Sequence, residues 1–140
     1  MRAAKVRNNK LVATEADVQR AIRDFCEALG CRVERNNAGA AMVVGRGGKM
    51  RPMRFGSIGR PDLEVLLPAW RCWGSIARVL FIECKRKGGR YRDSQVRWMA
   101  DAERLGHWTL FADSVEAVYD YLRERGVKVG PGAASGGVRL

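Results

Sequence analysis

The sequence predicts an α/β fold, a mixed central sheet with helices on its faces. Three observations predict it. Segments of helical periodicity alternate with short apolar, β-rich runs in the order helix, strand, long loop, two strands, helix, strand, helix. Two of the runs, residues 63–67 (LEVLL) and 79–82 (VLFI), are bounded by Pro61, Pro68 and Gly74 and read as neighbouring buried strands joined by a loop. The chain has 140 residues, which suits one domain that buries roughly two thirds of its unfolded surface without disulfide staples.

In chain order, residues 1–13 read as a basic arm ordered only in part. Thr14 then serves as N-cap, with Asp17 three residues on completing a variant capping box. Val18, Ile22, Phe25, Cys26 and Leu29 recur at helical spacing, and Gly30 ends an amphipathic helix over 15–29. Glu15 falls on the edge of its buried face. Position alone leaves two equal readings for that acid, favourable charge at a helix N-terminus or a carboxylate aimed at a metal. Residues 31–35 (CRVER) form the first strand. From 45 to 60 comes a glycine-rich, flexible segment with Arg46, Lys49, Arg51, Arg54 and Arg60 and no acid.

After the central strand pair, Lys85, Arg86, Lys87, Arg90 and Arg92 repeat the acid-free basic pattern up to Asp93. Asp93 or Ser94 caps a second helix whose apolar face includes Val96, Trp98, Met99, Ala102 and Leu105, and Gly106 ends it. Residues 107–111 (HWTLF) are a short strand, 114–125 a third amphipathic helix and 127–129 a candidate edge strand. Residues 130–140 are too poor in apolar side chains to pack and read as a flexible tail. The domain proper is thus 14–129.

Lys and Arg outnumber Asp and Glu by 26 to 15, a net charge of +11. Such a balance points to a polyanionic partner, and to nucleic acid ahead of a membrane because no long apolar span or basic amphipathic helix occurs. Cys26, Cys31, Cys72 and Cys84 show neither a C-x-x-C pair nor zinc-ligand spacing and are expected to be free thiols in a reducing compartment. The basic N-terminus is not followed by an apolar stretch of signal-peptide length, so a cytoplasmic location is expected. With His107 as the only histidine, sites that need two are excluded, and His107 reads as a strand-edge residue without a catalytic role.

The chemistry lies between Gly59-Arg60-Pro61-Asp62 and Ile82-Glu83-Cys84-Lys85. If the two strands pair antiparallel with Leu67 opposite Arg78, the register places Asp62 opposite Glu83. Alternation points Glu83 and Lys85 the same way, about 7 Å apart, and turns Cys84 into the core. Charges left together at the end of two apolar strands are costly unless they are paired or hold a metal. Cleaving a phosphodiester needs charge neutralisation on the phosphate and a nucleophilic water at neutral pH, which Mg²⁺ or Mn²⁺ on hard carboxylate oxygens provides. Asp62, Glu83 and the Cys84 carbonyl are the expected ligands. Lys85 is the expected group that orients or deprotonates the water and steadies the transition state. A lone E-x-K is common by chance; its place on a buried strand, after Pro-Asp and before a helix, is what gives it weight. The competing structural reading is a strand-end salt bridge of Glu83 with Lys85 or Arg60.

TEADVQRAI, RVERNNAG, GRPDLEVLL, FIECKRKGGRYRDSQVRWM and LGHWTLFADSVEAV together resemble the VRR-NUC (virus-type replication-repair nuclease) branch of the PD-(D/E)XK nucleases, over about residues 14–121. The resemblance implies a restriction-endonuclease-like core, Glu15 as a metal ligand beside Asp62 and Glu83, a catalytic Lys85, and a supporting Gln95 at the head of the second helix. It also implies a homodimer that cuts branched DNA such as four-way (Holliday) junctions, in the host-cell cytoplasm if viral. Two active sites about a two-fold axis would cut opposing strands of such a junction. Trp70, Trp73, Trp98 and Trp108 are candidates for the dimer contact. Arg46, Lys49, Arg51, Arg54, Arg60, Arg86, Lys87 and Arg90 are the expected DNA contacts. The insert at 45–56 and the WRCW loop depart from the family pattern. The alternatives are a catalytically silent DNA-binding module of the same fold and a sequence-specific restriction-type endonuclease.

Overall fold

The computed structural model describes residues 5–7, 10–36, 39–55 and 58–130. Strands β1 (Lys5–Arg7) and β2 (Lys10–Val12) form a small antiparallel hairpin within the segment expected to be a loose arm. Helix α1 (Glu15–Ala28) follows. Thr14 caps it as the sequence indicates: the Asp17 N–H donates to Thr14 Oγ1 at 3.2 Å, and the Thr14 N–H donates to the Asp17 carboxylate at 2.9 Å. These bonds from Thr14 hold the Asp17 carboxyl below its usual range.

Strand β3 (Arg32–Arg35) leads into a second hairpin, β4 (Gly39–Val44) and β5 (Met50–Phe55), which forms its own two-stranded sheet. The sequence reading had a flexible loop over 45–60. In a two-stranded ribbon Pro52 needs no ladder N–H on its outer side and so does not prevent the pairing. Gly47 and Gly48, at φ of 80° and 76°, make the tight tip. Strands β6 (Leu63–Leu67) and β7 (Arg78–Cys84) come next, then helix α2 (Asp93–Arg104), strand β8 (Trp108–Ala112) and helix α3 (Val115–Glu124).

The main sheet runs β3-β6-β7-β8. Its β6–β7 register pairs Leu67 with Arg78 and Leu63 with Ile82, as the sequence requires. β7 and β8 are parallel, and α2 supplies the crossover that such a pair needs. Alternation sorts the faces. Leu63, Val65, Leu67, Leu80, Ile82 and Cys84 point into the main core with Val18, Ile22 and Cys26 of α1 and Val118 and Leu122 of α3. On the other face Phe81 meets Trp98 of α2 edge-on, with ring centroids 5.0 Å apart, and Glu83 lies on that same face.

Two further expectations change. Arg92 takes the N-cap position of α2 and Asp93 is its first helical residue. Residues 127–129 form no strand. Instead Lys128 N–H donates to Arg71 O at 2.8 Å, while the buried Arg71 guanidinium donates through Nη1 to the carbonyls of Lys128 (2.6 Å) and Gly130 (3.3 Å) and lies over Trp70. Arg71→Ala is expected to lose about 2–3 kcal/mol, read as a lower denaturant midpoint with faster hydrogen exchange at the Lys128 amide. An unchanged midpoint would mean that the guanidinium holds nothing in place. Residues 131–140, the bulk of the expected tail, lie outside the described residues. The four cysteines are buried free thiols, and among the described residues no helix is long and apolar enough to cross a membrane.

Candidate active site

The polar end of the β6–β7 pair gathers the acidic residues. Asp62 and Glu83 meet across the register: the Asp62 N–H donates to Glu83 Oε2 at 3.2 Å, and the Cys84 N–H donates to Asp62 Oδ2 at 2.9 Å. Glu83 is only 1% exposed. Its other oxygen, Oε1, accepts from Gln95 Nε2 at 2.5 Å. Gln95 is the third residue of α2 and its Oε1 accepts the Arg92 N–H at 2.8 Å. One amide side chain therefore caps the helix and holds the buried carboxylate.

Lys85 enters from the end of β7, its backbone N–H held by Ala112 O at 2.9 Å. Its ammonium stands 3.7 Å from Glu83 Oε1 and 3.8 Å from Glu15 Oε2, its side chain 12% exposed. Those separations exceed a charge-assisted hydrogen bond of about 2.7–2.9 Å, so the ammonium is attracted by both acids without being locked to either. Glu15, at the head of α1, thus faces the same space. A cleft of about 380 Å³ opens there, lined by Thr14, Glu15, Ala16, Gln19, Arg35 and Asp62.

The electrostatics follow from burial and crowding. Desolvation and then the Asp62 charge push the Glu83 carboxyl up to about 7, with Lys85 partly opposing them. Burial also raises Asp62, against the Cys84 N–H, Lys85 and Arg35. The Cys84 thiol is pushed far up by burial and lies on the core face. Three carboxylates around one lysine and a nearby arginine leave negative charge that a hard divalent cation would relieve, and the donor set of carboxylate oxygens suits Mg²⁺ or Mn²⁺. Among the described residues no three acidic, Cys or His side chains form a ready-made ligand cluster; Lys85 stands between Glu15 and Glu83.

A raised carboxyl pKa links to stability with a definite sign. The folded protein binds the Glu83 proton up to about 7, whereas the unfolded chain releases it near 4.5. Stability from this group is full below the unfolded value and is lost as pH rises through about 7. Metal-free protein is therefore expected to lose up to roughly 3 kcal/mol from this source between pH 5 and 8. Melting scans in EDTA should show the decline, Glu83→Gln should flatten it, and Mg²⁺ or Mn²⁺ should raise the midpoint more at pH 8 than at pH 5. A slope that Glu83→Gln leaves intact would contradict the assignment.

The other expected contacts lie on separate elements. Arg46, Lys49 and Arg51 are exposed on the β4–β5 hairpin; the side chain of Arg54 lies outside the described residues. Arg86, Lys87 and Arg90 are exposed in the loop between β7 and α2. Arg60 is engaged with Glu64 at 3.2 Å and not with Glu83. Sequence reasoning assigned no role to Asn36, Arg35 or Tyr91. Asn36 clamps the motif backbone, its N–H donating to Asp62 O at 2.8 Å and its Nδ2 to Pro61 O at 3.1 Å. Arg35 pairs with Leu63 in the β3–β6 register, one step from Asp62. Tyr91 packs at a tilt against Phe111, its phenol raised by burial and then by the charges of Asp113 and Glu83. A register between 32–35 and 63–66 would have exposed the first two from sequence. Tyr91 had no such signal.

No protein-family profile matches the chain. No curated protein matches it either. Among solved structures the chain is similar to one described as a VRR_NUC domain, at 25% sequence identity and a TM-score of 0.51, with 80% of this chain and 97% of that chain covered.

Proposed function

From a chain with the fold of a VRR-NUC domain, the PD-(D/E)XK type of nuclease core, we propose a divalent-metal-dependent endonuclease that hydrolyses DNA phosphodiester bonds. The observation that carries this reading is the convergence of Asp62, Glu83, Lys85 and Glu15 at one end of an apolar strand pair, with Glu83 buried and held by Gln95. Glu15, Asp62, Glu83 and the Cys84 carbonyl would hold Mg²⁺ or Mn²⁺, which when bound supplies charge neutralisation at the phosphate and a more acidic water.

The chain's own groups do the remaining work. Gln95 fixes the Glu83 carboxylate so that it does not reorganise during reaction. Asp62 is fixed from two sides, by the Cys84 N–H on its carboxylate and by Asn36 on its carbonyl. The loosely paired Lys85 ammonium donates to the attacking water or to a phosphate oxygen as negative charge develops there. Arg46, Lys49, Arg51, Arg86, Lys87 and Arg90 take phosphates on either side of the site.

Branched DNA, such as a four-way junction, is the proposed substrate, and a homodimer the proposed active form, because a two-fold pair of sites cuts opposing strands where one site would nick. Of the four tryptophans Trp73, 81% exposed, is the most available for a contact between copies; Trp98 packs on Phe81 and Trp108 on Tyr121. The test is cleavage of labelled four-way junction, splayed, nicked and linear duplex DNA in Mn²⁺, Mg²⁺ or EDTA. Paired, metal-dependent cuts at the branch are expected. Binding without cutting in every metal would leave a silent module, and fixed sites on linear duplex would indicate a restriction-type enzyme.

A further inference from the structure

Among the described residues the β4–β5 hairpin pairs only with itself, and its register sorts its side chains into two faces. Directly opposed residues of an antiparallel pair share a face, and faces alternate along each strand. Met42 opposite Pro52 and Val44 opposite Met50 therefore form a continuous apolar stretch on one face, while Val43, Arg51 and Met53, the last 45% exposed, lie on the other. That apolar face stands in solvent, with Met42 58%, Val44 70% and Met50 56% exposed. Arg46 and Lys49 sit at the tip. From 39 to 60 the chain holds no acid, and Arg60 leads directly into Asp62.

A partner for this ribbon must offer negative charge and apolar surface together. A second copy offers the apolar surface but sets Arg46, Lys49 and Arg51 against their own kind. DNA offers phosphates for the cations and, where stacking is opened, base and sugar edges for methionine, valine and proline. The major groove of relaxed duplex, roughly 12 Å wide, admits a two-stranded ribbon but offers the thymine methyl as its apolar contact, and the minor groove, roughly 6 Å wide, is too narrow for strands about 4.8 Å apart plus their side chains. A row of four apolar side chains is covered more fully against bases opened in a minor groove widened at a flexible or interrupted step.

Resting on the DNA reading above, we infer that β4–β5 is a DNA-distorting arm. Met42, Val44, Met50 and Pro52 lie against bases opened in a widened minor groove, while Arg46, Lys49 and Arg51 hold the flanking phosphates. The arm would favour DNA whose bases unstack readily, whatever its sequence, and would deliver such a site to the neighbouring carboxylates.

The test uses the full chain in EDTA with duplexes carrying 2-aminopurine at a mismatch or in a stiff A-tract. Wild-type protein is expected to raise the fluorescence of the mismatched duplex and bind it more tightly than the A-tract. Met42→Ser with Met50→Ser should lose that signal and weaken binding to the mismatch about tenfold, with the salt dependence unchanged because the phosphate contacts remain. Both residues are exposed, so the melting temperature should not move. The inference is overturned if the double variant keeps signal and affinity. It is overturned equally if the variant's only change is a smaller assembly in the ultracentrifuge or a loss of binding to anionic vesicles. A signal from protein that cuts no DNA in any metal would remove the nuclease reading and leave the arm standing; cutting without a signal would remove the arm alone.

Discussion

Lys85→Ala is expected to cut DNA at least about 10²–10³-fold more slowly than wild type while binding it within about threefold. The two effects separate because they come from different parts of the molecule. The Lys85 ammonium is 12% exposed and stands 3.7 and 3.8 Å from Glu83 and Glu15, where in the proposed reaction it would answer developing charge. In the proposed reading, phosphate affinity comes chiefly from exposed cations of the β4–β5 hairpin and of the loop after β7, all unaltered by the change. Asp62→Asn should behave alike for a different reason. It retains an oxygen that can accept the Cys84 N–H but removes a charge that the proposed cation site would draw on. Single-turnover cleavage in saturating Mn²⁺, beside anisotropy in EDTA, reads both quantities. Wild-type cleavage by either variant would refute the site; equal losses of cutting and binding would make Lys85 a DNA contact rather than a catalytic residue.

The parts of this molecule that read clearly from sequence are those where one periodicity fixes one face. β6 matches the expected span and β7 extends it, because apolar residues bounded by proline and glycine have a single way to be buried. Their register follows from two strands of fixed length, and with it the meeting of Asp62 and Glu83. The β4–β5 hairpin did not read, since its alternation serves no core: Met42 and Val44 face solvent, so burial imposes no pattern. The segment 127–129 misled because its valines pack against the core without joining a ladder, fixed instead by a buried arginine far away in sequence. Glu15 could not be decided from its position on a helix, whereas its 3.8 Å approach to Lys85 depends on how α1 docks at the end of the sheet. Long-range docking of that kind leaves no mark in local spacing.

Gly59→Ala is expected to be as damaging as the loss of a charged group, although Gly59 carries no chemistry. Its φ of 81° is a left-handed conformation that costs an L-residue roughly 1–2 kcal/mol. A Cβ there would stand 2.2 Å from Ser94 O, 2.5 Å from Ser94 C and 3.0 Å from Gln95 N. Those atoms are helix backbone and cannot turn aside as a side chain would, so either the motif loop or the first turn of α2 must shift. The same turn carries Gln95, whose amide holds both the helix cap and Glu83 Oε1. Displacement therefore reaches the buried carboxylate at once. The expected outcome is a loss of about 3 kcal/mol in stability, from strain and overpacking together, and a fall in kcat of roughly 100-fold for a misplaced group. KM should hardly change, since the basic loops are untouched. Gln95→Ala should lower kcat similarly with a smaller loss of stability, and the double variant should be little slower than either single one, because both act through the same hydrogen bond. Rates measured on folded protein well below its melting point, combined in a double-mutant cycle, decide the matter. No loss of kcat in the Gly59 variant would show that Gly59 serves stability alone, and additive losses would show that it acts on the rate by a route other than the Gln95 hydrogen bond to Glu83.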